Sequence, residues 1–483
     1  MSGTAEQQPI IGYEGNKLVV KAYAGCGKTW TLVAYANAHP NLRILYLAYN
    51  RAIRDEGAQK FPPNVICKTS HQLAWPQFGR LYDHKLGNIR LTDAAELLET
   101  RKWADVRESI AVLNAFLASA DPEVMLPHVA AALDQETYET CGEAHIDMLM
   151  ANAARLWEAM IDVEHSLPCQ HDAYLKLYQL SKPVLDYDVI LFDEAQDSNP
   201  VTAALVAGQQ ARKIFVGDQW QQIYRWRGAE NALDQQVEAG ADVMYLTNSF
   251  RFGPMIAGVA NAILRQQGET RPLVGLGPRD KVMTSLPFGC GHYTVLNRTV
   301  MGVLMTAIDA VLAGKMVYWV GGIEAYQLAD LEDVHALKSN RHGDIRNKRL
   351  FRPFGDFGTF VEAAEESKDA EMNRLVRITK EHHDIPRLVA DLRDHTTDDP
   401  AAADIVVSTA HKAKGLEWDV VVLQDDFPDI FDTEKVTPEQ RKDELNLLYV
   451  ANTRARKVLV INPITQLVIM KSHTEMRRER ASA

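Results

Sequence analysis

Cysteine is scarce, and the five present (Cys26, Cys67, Cys141, Cys169 and Cys290) are scattered without a Cys-x-x-Cys spacing. That pattern argues against a zinc framework and against a disulfide scaffold, so reduced thiols are expected. No apolar run approaches the roughly 18 residues that a membrane span requires. The opening Met1-Ser2-Gly3-Thr4-Ala5-Glu6-Gln7 has neither the basic nor the apolar region of a secretory leader. A cytoplasmic protein with no membrane association is expected. Positive charge is also short: 52 Lys and Arg face 64 Asp and Glu, for a formal net charge of -12. A globally basic nucleic-acid binder is excluded, but a local basic and aromatic groove is not. Fixed-period repeats and low-complexity tracts are missing as well. What remains is 483 residues with 46% hydrophobic content, enough for several packed domains.

Chemistry concentrates in two strings. Gly25-Cys26-Gly27-Lys28-Thr29 follows the apolar Leu18-Val19-Val20, and Asp193-Glu194-Ala195-Gln196-Asp197 ends the apolar Val189-Ile190-Leu191-Phe192, 165 residues downstream of Lys28 (193 minus 28). Taken singly, the first is a turn that arises by chance and the second a solvated acidic pair. Context decides otherwise. A buried strand, a glycine turn and a helix over residues 29–36 would aim backbone amides of Ala24, Gly25, Cys26 and Gly27 at phosphates. Asp193 ends a second buried strand, where parallel sheets present ligand-binding groups. Lys28 can then neutralise the β- and γ-phosphates, Thr29 and Asp193 can hold Mg²⁺, and Glu194 can polarise the attacking water. ATP hydrolysis with Mg²⁺ is the expected chemistry. Cys26, at a helix N-terminus, is expected to have a lowered pKa and to be alkylated unless ATP protects it. One departure from the general phosphate-loop pattern is Ala22, where glycine is usual six residues before Lys28.

Ala22-x-Ala24-Gly25-x-Gly27-Lys28-Thr29 resembles the first motif of the superfamily 1 helicases related to UvrD, Rep and PcrA. Further strings follow in the family's order. Gln7, with Gln8 as the alternative register, is similar to the glutamine that reads adenine. Tyr49-Asn50-Arg51 and Thr69-Ser70-His71 resemble segments that touch single-stranded DNA. Gly217-Asp218-Gln219-Trp220-Gln221-Gln222-Ile223-Tyr224-Arg225-Trp226-Arg227-Gly228 is similar to the third motif. Thr247-Asn248-Ser249-Phe250-Arg251, Asn297-Arg298-Thr299, Ser408-Thr409-Ala410-His411-Lys412-Ala413-Lys414-Gly415-Leu416-Glu417-Trp418 and Glu444-Leu445-Asn446-Leu447-Leu448-Tyr449-Val450-Ala451-Asn452-Thr453-Arg454 complete the set. Three strings, among them His171-Asp172-Ala173-Tyr174-Leu175-Lys176-Leu177, are most similar to the F-box DNA helicase branch. With the motor beginning almost at Gln7, no F-box is expected, and the chain reads as the bare motor of that branch from a bacterium, archaeon or virus.

The resemblance implies an α/β fold of two RecA-like P-loop motor lobes, each a parallel sheet flanked by helices, with inserted accessory domains. Residues 1–75 and 167–245 are expected to form the first lobe, 76–166 a helical insertion, 246–323 and 404–483 the second lobe, and 324–403 a short second insertion. Gln221, Arg251 and Arg454 are implied to approach the γ-phosphate from between the lobes, with Glu417 facing the nucleotide sugar. Phe250 stands where the family stacks a tyrosine on adenine. Trp30 either joins it around the base or packs its own helix. For the DNA track, the implied platforms are Trp226 and Tyr49, and the implied contacts are Asn50, Thr69, His71, Arg227, Arg298, Thr409 and His411. The tail over residues 471–480 either adds a basic contact or is a solvated terminus.

The function implied is an ATP-dependent helicase or translocase moving 3′ to 5′ on single-stranded DNA and acting at duplex junctions in repair, recombination or replication. The alternative is a DNA-activated ATPase subunit of a repair or anti-phage defence assembly, with a protein partner and no unwinding of its own. A scaffold and a nuclease are both disfavoured, the first by the intact catalytic set and the second by the lack of a further acidic metal cluster.

Overall fold

A computed structural model describes residues 3–224, 231–348, 354–367 and 369–482. Its first sheet is built from β1 (Lys17–Ala22), β2 (Ile44–Ala48), β3 (Val65–Thr69), β4 (Val189–Phe192), β5 (Arg212–Gly217) and β6 (Asp242–Leu246) in the order β3-β2-β4-β5-β1-β6, with every pairing parallel. A short pair, β7 (Asn248–Ser249) and β8 (Val274–Gly275), leads into a second sheet. That sheet contains β9 (Lys281–Met283), β10 (Tyr293–Asn297), β11 (Val317–Trp319), β12 (Ile405–Thr409), β13 (Trp418–Leu423) and β14 (Ala455–Val460), in the parallel order β11-β12-β10-β13-β14-β9.

Both sheets are covered on both faces, which explains the continuous apolar runs of their central strands. Side chains alternate between two cores. Ile44, Tyr46, Val189 and Leu191 join a core that runs between the two sheets and includes Leu296, Tyr449 and Leu459. Leu45, Leu47, Ile190 and Phe192 face the opposite way, into a core shared with Leu113, Phe116 and Leu156. Those last residues belong to the helices Trp103–Ala118 and Glu143–Ile161, which dominate the segment between β3 and β4. A third core joins Val295 and Val407 of the second sheet to helices Leu328–Lys338, Phe357–Ser367, Ala370–Glu381 and Ile385–Asp394 between β11 and β12. The two inserted segments touch: Arg90 donates to Asn347 Oδ1 at 3.1 Å, and the rings of Trp103 and Phe354 lie 5.8 Å apart.

The central strands stand where the apolar runs indicate. β3, β6 and β9 lie at sheet edges, and most of their residues are partly exposed. Leu246, the last residue of β6, pairs with Ala22, the last residue of β1. Among the described residues, no helix is long and apolar enough to cross a membrane.

Candidate nucleotide and track site

The carboxyl ends of β1, β4 and β5 converge on one cleft, the usual ligand position in a parallel sheet. Ala22 is the last residue of β1, buried and paired in the sheet, which is why a glycine is not needed there. Gly25 and Gly27 then take φ of 74° and 73°, a region that favours glycine. At Gly25 a Cβ would also lie 2.5 Å from Ser249 Oγ. Gly27 starts helix Lys28–Ala38 with no side-chain cap, leaving its first amides for an anion. Tyr449, from the second lobe, accepts the Ala24 amide at 3.1 Å and donates to Asp218 Oδ2 at 3.1 Å.

Cys26 corrects the expectation of a reactive thiolate. It is buried, and desolvation, with the charge of Asp218, pushes its thiol well above the ordinary range. The helix N-terminus does not compensate for loss of water at that position.

Lys28 Nζ lies 2.5 Å from Glu194 Oε1, so the phosphate-loop lysine rests on the general-base candidate. Gln196 Nε2 donates to the other Glu194 oxygen at 2.6 Å. Burial alone would raise the Glu194 pKa, but the ammonium groups of Lys28 and Lys414 hold it at about 2. Asp193 is shifted upward, by burial and then by the charge of Glu194. Its Oδ2 accepts from the Tyr46 hydroxyl at 2.6 Å and its Oδ1 from the Glu194 amide at 2.9 Å, which orients the carboxylate. Glu194 itself sits at φ 52°, the left-handed turn that projects it past the strand end. With Thr29, Asp193 supplies hard oxygen donors of the kind Mg²⁺ takes. The uncapped helix, the ammonium and these oxygens together fit a Mg²⁺-nucleotide.

Gln221 Nε2 donates to Asp218 Oδ2 at 2.7 Å, and its Oε1 accepts from Arg454 Nη2 at 3.1 Å. Arg454 is fully buried. Its remaining hydrogen bonds reach the Val450 and Leu416 carbonyls at 2.9 and 3.3 Å and the Thr453 hydroxyl at 3.3 Å, and among the described residues it makes no ion pair. Burial, with the charge of Arg251 added, pulls its pKa down to about 9, the mark of a cation short of an anion. Arg251 is different: Glu417 Oε2 accepts from its Nε at 2.6 Å, and the Thr453 carbonyl from its Nη1 at 3.0 Å. Glu417, expected at the nucleotide sugar, is held between Arg251 and Arg456, whose Nη1 is 3.6 Å away.

Gln7 is buried and accepts the Thr4 amide at 2.9 Å, while its Nε2 and the Phe250 ring lie 3.3 and 3.7 Å from where a Gly27 Cβ would stand. Gln8 is exposed, and its side chain donates to the Gly3 carbonyl at 3.4 Å. Trp30 and Phe250 are 41% and 44% exposed.

Of the track residues, Tyr49 and Asn50 follow β2, Thr69 ends β3, Arg298 follows β10, and Thr409 ends β12. Several have local tasks. Asn50 and Thr69 cap helices, accepting from Ile53 and Gln72 amides at 2.9 and 3.3 Å. Thr409 accepts the Lys412 amide at 3.2 Å, and His71 Nε2 is 3.2 Å from Asp172 Oδ1. Arg298, expected on the DNA backbone, grips Glu444 bidentately at 2.7 to 3.0 Å. Tyr49 stacks on Tyr224, with centroids 5.6 Å apart, and Tyr224 donates to the His411 carbonyl at 3.2 Å. Trp226 and Arg227 lie outside the described residues.

Sequence reasoning missed Asp218, Gln196, Tyr449 and Lys414 as site residues. All four stand inside or beside the quoted strings, but their contacts cross between distant segments. Asp105, Glu108 and His145 also bring one ligand atom each within 4.8 Å, on two helices of the first inserted segment. That group is already partly neutralised, with His145 Nε2 at 2.9 Å and Arg107 Nη2 at 3.2 Å from Glu108.

The UvrD/REP helicase N-terminal domain family matches residues 146–240, and the UvrD-like helicase C-terminal domain family matches residues 329–466. The matched stretches contain Asp193, Glu194, Gln221, Lys414 and Arg454. The chain is 33% identical over 502 residues to F-box DNA helicase 1 of Gallus gallus, across 95% of this chain and 49% of that protein. It is 29% identical over 518 residues to F-box DNA helicase protein 1 of Schizosaccharomyces pombe, across 97% of this chain and 58% of that protein. With DNA helicase IV of Escherichia coli it shares 26% identity over 344 residues, 58% of this chain and 50% of the relative. The chain thus spans about half the length of the first two relatives.

Proposed function

We propose that this chain, which the UvrD/REP helicase N-terminal domain family matches over residues 146–240 and the UvrD-like helicase C-terminal domain family over residues 329–466, is an ATP-dependent DNA helicase moving 3′ to 5′ along single strands. The observation that carries the proposal is the contact across the lobes. Arg454, which follows helix Pro438–Asn452, donates to Gln221 at 3.1 Å, and Gln221 donates in turn to Asp218 at the end of β5, whose charge acts on Lys28 beside Glu194. A site completed by both lobes makes hydrolysis depend on how the lobes sit, and that dependence is what a motor needs.

In this reading Lys28 exchanges Glu194 for the phosphates, freeing the carboxylate to orient and deprotonate water. Thr29 and Asp193 would hold Mg²⁺, which when bound would supply charge neutralisation to the phosphates, and Gln7, Phe250 and Trp30 receive the base. Single-stranded DNA runs past Tyr49 and Tyr224, and repair, recombination or replication supplies the duplex junctions. Strand displacement on 3′-tailed and 5′-tailed duplexes tests it. ATP-dependent release from the 3′-tailed duplex alone is the expected result. Hydrolysis stimulated by DNA without displacement of either supports a DNA-activated ATPase within a larger assembly instead.

A further inference from the structure

One face of β2 carries Ile44, Tyr46 and Ala48 into the core between the sheets, and Tyr46 is fully buried there. A phenol in such a core needs an acceptor, whereas phenylalanine would fill the same space without one. The strand register supplies the acceptor. β2 runs parallel to β4 with Tyr46 beside Leu191, and Asp193, two residues on, continues the pairing through its amide, 3.1 Å from the Leu47 carbonyl. Side chains two apart share a face of the sheet. The hydroxyl therefore reaches the carboxylate at the end of β4, donating to Asp193 Oδ2 at 2.6 Å.

The ring's position is constrained independently. Its centroid lies 4.6 Å from that of Phe61. Gly57 is the buried residue of helix Arg51–Lys60, and a Cβ there would stand 2.8 Å from Tyr46 Cε1. Glycine inside a helix is unfavourable, so position 57 would carry a side chain unless something needed the room. The tyrosine ring occupies that room.

Asp193 is itself buried, and the Lys28 ammonium is paired with Glu194. Two neutral donors hold the Asp193 carboxylate, the Tyr46 hydroxyl on Oδ2 and the Glu194 amide on Oδ1 at 2.9 Å. One bond on each oxygen fixes the plane of the group and leaves each oxygen a further lone pair for a cation. Without the hydroxyl the carboxylate keeps a single tether and regains rotation. A donor also draws charge from the oxygen it touches, which weakens the pull on a metal. Preorganisation outweighs that effect, because removing a hydrogen-bond partner of a ligating group typically costs about 10- to 100-fold in metal affinity.

We propose that the Tyr46 hydroxyl, seated by Gly57, is a positioning group that sets the Mg²⁺ affinity of the nucleotide site by fixing the Asp193 carboxylate. This rests on the Mg²⁺-nucleotide reading above, and it adds the residue behind the metal ligand. It acts on the metal and leaves the nucleotide's own contacts alone.

The test is equilibrium binding of a fluorescent, non-hydrolysable ATP analogue to the full chain, in excess Mg²⁺ and again in EDTA. The ratio of the two dissociation constants measures how far Mg²⁺ tightens the nucleotide, with no turnover involved. Tyr46→Phe keeps the ring and removes the hydroxyl, while Gly57→Ala keeps the hydroxyl and displaces the ring. Thermal melting checks that each is folded. Both variants are expected to bind within about twofold of the unaltered chain in EDTA and to lose at least about fivefold of the Mg²⁺ tightening. Combining them should lose little more than the larger single loss. Folded variants whose tightening stays within about twofold of the unaltered chain would make Tyr46 a packing residue and overturn the proposal. Equal loss with and without Mg²⁺ would overturn it too, by placing the effect on the nucleotide pocket as a whole. If Tyr46→Phe does not fold, Gly57→Ala decides by the same results. If Mg²⁺ does not tighten binding to the unaltered chain, the Mg²⁺-nucleotide reading itself fails, and this proposal with it.

Discussion

Replacing Arg454 by alanine separates chemistry from folding. The guanidinium is buried, donates to the Gln221 side chain, the Val450 and Leu416 carbonyls and the Thr453 hydroxyl, and makes no ion pair among the described residues. Loss of those donors leaves acceptors unpaired at about 1–3 kcal/mol each at most. Against this, the variant no longer carries a buried cation whose depressed pKa, about 9, records poor compensation. The two effects oppose, so the melting temperature should move little. The catalytic effect has no such offset. An arginine that meets transition-state charge accelerates phosphoryl transfer by roughly 10³- to 10⁵-fold, or about 4–7 kcal/mol. Turnover at saturating DNA should therefore fall by at least about 10³-fold in Arg454→Ala, while nucleotide affinity, followed by a fluorescent analogue, falls far less. A folded variant that loses affinity and turnover equally, or that turns over within tenfold of the unaltered protein, would show that Arg454 is a structural residue.

Glu194→Gln should retain Mg²⁺-ATP binding and lose at least about 10²-fold in hydrolysis, because the amide cannot take the water's proton; near-normal turnover in the purified variant would remove Glu194 from the reaction. Burial raises Asp218 from 3.8 to about 6, so the folded state holds an extra proton between those values and loses stability as pH climbs through the window. Denaturant unfolding at several pH values should show that loss, at most about 3 kcal/mol, disappear in Asp218→Asn, and an unchanged slope would contradict it. With its thiol buried and its pKa raised, Cys26 should resist iodoacetamide at neutral pH with or without ATP, and peptide mapping that finds it readily modified would restore the thiolate reading.

Much of this molecule is legible because its chemistry is contiguous. A phosphate loop is a strand, two glycines at positive φ and a helix start, all within residues 17–38, so local spacing suffices to find it. The central strands are equally plain, since both their faces are buried. Edge strands are less plain, because β3 and β6 stand at the ends of their sheet and most of their residues are partly exposed. Cys26 misled because a helix-terminus argument ignores how much water its loop excludes. The pairing of Arg298 with Glu444, 146 residues away, was not legible, since no pattern in the chain states that the two meet. Lys414 was hidden for the same reason: Asp197 and Gln221 come to it from the other sheet's strand ends.

Directed movement is the central claim, and streptavidin release from single strands biotinylated at one end measures it without any duplex to unwind. ATP-dependent release from the 5′ end, with the 3′ end untouched and with Glu194→Gln inactive at both, is the result this account predicts. Vigorous DNA-stimulated hydrolysis that releases streptavidin from neither end, or from the 3′ end alone, would contradict it.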